Sequence, residues 1–308
     1  MKADEQKRIT ETTGTLEKEY KQVKALIAVM IGVLILAVIM LVLKYYIPVF
    51  LLLFAAVILQ IFVIRPRSKH YTAACNEKNI LLTAGKRIGA ESVREKGSDG
   101  LTEDLIRKAD LLPADNIKSG ISFFEGIEGR YRTGKVSAAD IVLTETFFMK
   151  PDGKGRKHVF QNCGCWTHIE LKEEIPYDFR MFHDNAIPAP IQKAFYEEKQ
   201  DLKLVKASNF GLPKEIYVYT KNDTLPTDKL ALRFLDLQKY TPGSVAMSVR
   251  GNMVDVYIKD RFLGAAVSLK NAPTEQSLLL DPYPELKWIL ELTDEIVRSC
   301  SGDRSILS

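Results

Sequence analysis

Two apolar runs, Ala25–Leu43 and Ile47–Ile64, carry no charged side chain and are parted only by Lys44, Tyr45 and Tyr46. At ~1.5 Å per residue each run spans roughly 27–29 Å as a helix, close to the thickness of a bilayer's hydrocarbon core. The first holds 13 Leu, Ile or Val residues, which favour insertion by roughly 4–8 kcal/mol as an upper bound. Two such runs side by side would be unusual as core helices of a soluble protein. A cleaved signal peptide fits worse, because the first run is long, a polar segment precedes it, and no small-x-small cleavage site separates the two.

The flanks set an expected orientation. Lys18, Lys21 and Lys24 precede the first run, Arg65, Arg67 and Lys69 follow the second, and only Lys44 lies between them. The positive-inside rule then places both termini in the cytoplasm of a bacterial-type inner membrane, with a very short loop outside. Tyr45 and Tyr46 suit the headgroup level, and Pro48 sits where a helix begins and a missing N–H costs nothing.

After Ile64 the chain is long enough for one large or two small domains with real cores. A net charge of +4 from 43 basic and 39 acidic residues is no nucleic-acid footprint, which needs a concentrated basic face, so no nucleic-acid partner is expected. Cys75, Cys163, Cys165 and Cys300 are too sparse for a disulfide framework and would stay reduced in the cytosol.

Residues 1–24 are dense in charge, with Leu16, Tyr20 and Val23 at helical spacing, and read as a helix feeding the first span. Residues 65–100 read as a helical linker ending in the turn-rich Lys96–Gly100. A short helix over Leu101–Leu112 stops at Pro113. From Ile121 the pattern changes to short apolar and aromatic runs, Phe123-Phe124, Ile141–Leu143 and Phe147-Phe148, divided by turn residues. That predicts an antiparallel sheet, with Pro151–Gly155 as a basic hairpin loop between strands ending near Met149 and starting near His158.

The sharpest structural prediction concerns Val245–Ile258. A two-residue Gly251-Asn252 turn pairs Val249 with Val254, Met247 with Val256 and Val245 with Ile258, all apolar. The other face carries Ser248, Asp255 and Arg250 and is expected to be the wetter side. Asp228–Tyr240 and Pro284–Arg298 read as amphipathic helices flanking this hairpin, and Ser299–Ser308 as a frayed end. Strands and helices without βαβ alternation predict an α+β fold for residues 101–308, behind a transmembrane helical hairpin over 25–64.

The arrangement resembles a bacterial membrane protein family known only as a domain of unknown function, the 3137 family. The likeness rests on the paired N-terminal spans and on Ala109–Pro113, followed by Asp115 and Ile127-Glu128-Gly129. It continues at His158-Val159-Phe160, and at Lys206–Phe210 running into Ile216–Thr220, the Leu230–Leu237 helix and the Val245–Ile258 hairpin. The sequence departs from the family after Phe160, where Gln161-Asn162-Cys163 replaces a small Gly-containing segment. The resemblance implies this architecture and a bacterial membrane origin, and it carries over no catalytic residue.

Two motifs invite chemistry. Gly129 through Lys135 matches a phosphate-binding P-loop until its eighth position, where Val136 replaces the magnesium-binding hydroxyl. A strand-like sequence follows it instead of a helix, so a glycine-rich sheet turn is the plainer reading. His158, Cys163, Cys165 and His168 bring four zinc-type ligands within eleven residues. In an extended strand the two cysteines share one face and the histidines the other, so only a bulge at Gly164 would gather them. Small buried cysteines in a strand are the plainer reading here too. His70, His183 and the acids Asp110, Asp115, Glu125 and Glu128 stand in no motif.

The expectation is a non-enzymatic integral membrane protein, with no cofactor and no assigned catalytic or metal-binding residue. Its partners are the lipid bilayer and a protein, bound by the cytosolic α+β domain, which in a variant of this reading binds the lipid surface. The alternative is a membrane-anchored metal- or thiol-dependent enzyme using His158, Cys163, Cys165 and His168.

Overall fold

The first apolar run is the C-terminal half of a much longer helix, α1 (Ala3–Val42). A tight turn with Lys44 in the left-handed conformation (φ 64°) reverses the chain into α2 (Tyr46–Leu59). A single π turn at Gln60–Ile64 leads into α3 (Arg65–Ile80), and a second at Leu81–Gly85 into α4 (Lys86–Ile88), which Gly89 ends in the left-handed region (φ 64°). Our computed structural model describes residues 3–109, 111, 118–148, 157–186, 202–221, 228–264, 269 and 271–301; within these ranges the side chains of 3–5, 118–119, 145–148, 157–161, 228 and 301 are left aside.

The chain divides into two units, one of residues 1–82 and 265–281, the other of residues 83–264 and 282–308. The division thus falls beside Leu82 and not at the Lys96–Gly100 turn. Residues 265–281 group with the helical hairpin and not with the rest of 101–308.

The continuous helices Gln6–Val42 and, through both π turns, Tyr46–Ile88 are each apolar and long enough to cross a membrane. Their apolar side chains point outward, with Val38 60% and Phe50 72% exposed. Beyond that apolar stretch the hairpin has a core of its own: Leu16 and Val23 of α1 meet Tyr71 and Cys75 of α3 and Leu278. Leu278 belongs to α7 (Glu275–Leu279), a short helix started by a Thr274/Ser277 capping box. Glu275 accepts hydrogen bonds from Gln6 (2.8 Å) and Thr10 (2.6 Å), and the Asn79 amide donates to the Leu278 and Leu280 carbonyls.

The second unit is built on an antiparallel sheet of nine described strands in the order β1-β2-β3-β4-β9-β8-β5-β7-β6. They are β1 (Val93–Arg94), β2 (Lys118–Tyr131), β3 (Gly134–Phe148), β4 (Lys157–Leu171), β5 (Asp178–His183), β6 (Lys203–Val205), β7 (Ile216–Thr220), β8 (Val245–Arg250) and β9 (Met253–Lys259). The helices are α5 (Glu103–Lys108), α6 (Asp228–Tyr240) and α8 (Glu285–Ser301). Antiparallel strands with segregated helices make this unit α+β.

The sheet is buried on both faces. On the first, Ala139, Ile141, Trp166, Phe182, Ala246 and Tyr257 pack under Leu101, Ile106, Ala109 and Leu111, the segment that contains α5. On the second, Val136, Ile169, Met181, Val218, Met247, Val254 and Val256 are buried. There the Thr167 hydroxyl meets the Tyr283 hydroxyl at 3.0 Å, just ahead of α8. α6 and α8 pack side by side, with Leu230, Phe234, Leu237, Leu286, Ile289 and Ile296 buried.

The β8–β9 hairpin has the predicted register: Val249 opposite Val254, Met247 opposite Val256, Val245 opposite Ile258. Its other face is not the wet side. Ser248 and Asp255 are each 1% exposed, and only Arg250 of the three is exposed. The Ser248 hydroxyl donates to the Ala109 carbonyl, so a segment more than a hundred residues upstream roofs that face. Other expectations shift by a few residues: the helix near Leu101 covers only Glu103–Lys108, and α8 continues through Ser301. The predicted Pro151–Gly155 loop, Asp110, Asp115 and residues 302–308 lie outside the described residues.

Gly164 is a point of close approach between β4 and β9. A Cβ there would lie 2.2 Å from the Ile258 carbonyl oxygen and 2.9 Å from the Tyr257 ring. Gly164→Ala is therefore expected to destabilise the sheet by about 1–3 kcal/mol, read as a lower urea midpoint for the detergent-solubilised chain. An unchanged midpoint would mean that β4 and β9 are not so closely paired.

Candidate functional site

Three polar residues lie opposite one another on the first face of the sheet. The strand pairings set Ser137 of β3 across from His168 of β4, and His168 across from Asp255 of β9. Because strand side chains alternate, all three share the face occupied by Trp166 and Tyr257. Asp255 Oδ1 accepts from Trp166 Nε1 (2.8 Å) and lies 2.8 Å from His168 Nδ1. The carboxylate thus fixes the orientation of both rings.

His168 and Asp255 are 6% and 1% exposed at their side chains. Burial pushes the His168 proton affinity down, but the hydrogen bond and negative charge of Asp255, with a smaller push from Glu170, outweigh it and leave the pKa raised. Nδ1 is committed to Asp255, so Nε2 is the nitrogen left for other chemistry. His168 lines a cavity of about 220 Å³ together with Leu105, Ser137, Glu170, Asn252 and Met253. Lys135 and Gly100 complete the lining. Both are tied to Glu128, whose carboxylate oxygens take the Lys135 ammonium (2.9 Å) and the Gly100 amide (2.8 Å).

Histidine held by a carboxylate, with a serine opposite, has the composition of a nucleophilic triad. Among the described residues no hydrogen bond joins the Ser137 hydroxyl to His168, so the serine–base contact such chemistry requires is not made. The arrangement is instead a cavity with a buried, oriented imidazole in its wall.

The four residues singled out by zinc-type spacing are not gathered. The β3–β4 register runs unbroken from Gly134 opposite Leu171 to Phe148 opposite Lys157, so there is no bulge at Gly164. Cys163 and Cys165 lie on the second face and His168 on the first. The backbone of His158 pairs with Phe147, and its side chain is outside the described residues. No group of three metal-ligating side chains occurs among the described residues. Burial raises the pKa of both thiols, with the Asp260 charge adding at Cys163 and the Asp140 charge at Cys165, so neither is poised as a thiolate.

Gly129 to Lys135 forms the end of the β2–β3 hairpin, with Gly129 opposite Val136 and Arg130 opposite Lys135. The buried Asp294 of α8 anchors it, accepting hydrogen bonds from Tyr131 (3.0 Å) and Arg132. His70 lies exposed near Glu19 (3.8 Å), and His183 contacts Asp184 (2.8 Å).

Sequence reasoning missed Ser137 and Asp255 as partners of His168. Each shows only as one polar residue inside an apolar strand, and nothing local reveals that β4 pairs with β9. A second overlooked group is Asp140, on the face opposite His168 and 4% exposed. Its Oδ1 accepts from the Leu263 amide at 2.8 Å. Burial pushes its carboxyl up to about 8 against the lowering effect of its hydrogen bonds, and the Glu125 charge adds to the rise.

Fold and cavity together define an α+β antiparallel-sheet protein carrying an apolar helical hairpin. No family model, no curated protein and no solved structure matches the chain.

Proposed function

We propose that the chain is an integral membrane protein of two spans, with both termini in the cytoplasm of a bacterial inner membrane. In this reading it is a member of the 3137 family, and it anchors an α+β sheet unit that binds a protein partner or the lipid surface. The observation that carries the reading is the outward-facing apolar surface of two adjacent helices, each long enough to span a bilayer. Left in water, that surface would form a contiguous apolar patch of a size soluble monomers avoid. The basic residues Lys18, Lys21, Lys24, Arg65, Arg67 and Lys69 at the open end of the hairpin support the orientation. The metal- or thiol-dependent alternative would need a shift of β4 at Gly164 that its pairing lacks.

Full-length protein is expected to sediment with membranes, to resist alkaline carbonate and to need detergent for release. A cytoplasm-active reporter fused after Ser308 should give signal. Recovery of a detergent-independent soluble species, or a reporter active only outside the cell, would overturn the anchor and its orientation respectively. A stoichiometric partner captured on the solubilised protein would support the binding role.

A further inference from the structure

We propose that the cavity beside His168 binds a small zwitterion, an amino-acid-like molecule carrying both a carboxylate and an ammonium. This inference does not depend on the membrane reading.

Two polar side chains more than nine-tenths buried line the cavity, Ser137 at 1% and His168 at 6%. Among the described residues no hydrogen bond engages the Ser137 hydroxyl or His168 Nε2. Both groups therefore remain open to an occupant of the cavity they line. With Nδ1 held by Asp255, a protonated His168 presents Nε2–H and a positive charge at the buried end. The raised proton affinity of this imidazole supports that state.

The opposite pole is Glu170. It follows His168 by two residues on the same face of β4, about 6.6–6.8 Å along the strand, and it is exposed. Lys135 stands opposite Glu170 in the β3–β4 pairing, but its ammonium is held by Glu128 at 2.9 Å. The titratable groups that line the cavity or are bonded to a lining residue are His168, Asp255, Glu170, Lys135 and Glu128. A purely anionic ligand would meet the Asp255, Glu170 and Glu128 charges, and a purely cationic one would meet His168 and Lys135. A dipolar ligand puts its carboxylate on His168 Nε2 and the Ser137 hydroxyl, and its ammonium on Glu170. Leu105 and Met253 offer apolar wall to its hydrocarbon part.

Calorimetric titration of the full-length, detergent-solubilised protein tests this with three probes: L-leucine, 4-methylpentanoate without the ammonium, and 3-methylbutylamine without the carboxylate. Saturable binding of L-leucine is expected, with each single-charge analogue at least about tenfold weaker. Glu170→Gln and His168→Gln should each weaken L-leucine by at least about tenfold. Glu170 is exposed, so its variant tests the proposal even if His168→Gln fails to fold. The proposal is overturned if L-leucine does not bind saturably, if a single-charge analogue binds as well as L-leucine, or if Glu170→Gln leaves binding unchanged.

Discussion

Replacing Asp255 with alanine is expected to lower the stability of the chain by about 3–5 kcal/mol, the usual cost of removing one partner from a buried charge pair. The carboxylate is 1% exposed and serves both the Trp166 indole N–H and the His168 ring at 2.8 Å. Truncation leaves both groups buried without an acceptor, in a face sealed by the Leu101–Leu111 segment. Asp255→Asn keeps one acceptor oxygen and should cost less than Asp255→Ala. Chemical unfolding of detergent-solubilised protein, followed by tryptophan fluorescence, measures the difference, because Trp166 is fully buried in this cluster. Equal stability of the wild type and the alanine variant would show that Asp255 does not hold the two rings.

The same pair makes stability depend on pH. His168 binds its proton more tightly in the folded chain than in the unfolded one, where a histidine titrates near about 6.5. Its stabilising contribution is therefore complete below about pH 6.5 and is lost as pH rises through the folded value. Asp255→Ala should remove that part of the profile along with the stability.

How far the sequence reached is clearest at the β8–β9 hairpin. Gly251 accepts the positive φ of a two-residue turn (58°), and period-two alternation then leaves one register that puts every valine on one face. Alternation says which residues share a face, not what covers it. Ser248 and Asp255 are dry because their roof comes from the Leu101–Leu111 segment, far away in the chain. α6 was legible for a related reason: Leu230, Phe234 and Leu237 repeat at helical spacing and are fully buried.

The cavity was not legible because it depends on two long-range pairings, Ser137 with His168 and His168 with Asp255. Spacing along the chain instead directed attention to Cys163 and Cys165, which face away from His168. Residues 265–281 were equally silent, since the bonds of Glu275 to Gln6 and Thr10 join positions more than 260 residues apart. The two apolar runs needed no such partner, because their length and composition alone set their helical form and their outward apolar surface.

Asp140 offers the second large effect, and its sign is opposite to that of Asp255. Burial raises its carboxyl from the usual 3.8 to about 8, so the folded chain holds this proton where the unfolded chain has released it. Stability contributed by the proton is complete below about pH 4 and declines up to about pH 8, at no more than about 1.4 kcal/mol per pH unit. Asp140→Asn should flatten that decline and make the variant more stable than the wild type at pH 8, by up to about 5 kcal/mol. The gain falls short of that bound because the new amide needs an acceptor beside the Cys165 thiol, although its oxygen still accepts from Leu263. Unfolding midpoints from pH 4 to 9 separate the two groups, since the Asn variant keeps only the slope above about pH 6.5 that belongs to His168. If wild type and Asp140→Asn show parallel profiles, Asp140 is ionised in the folded chain, and water or a cation must then reach that carboxylate.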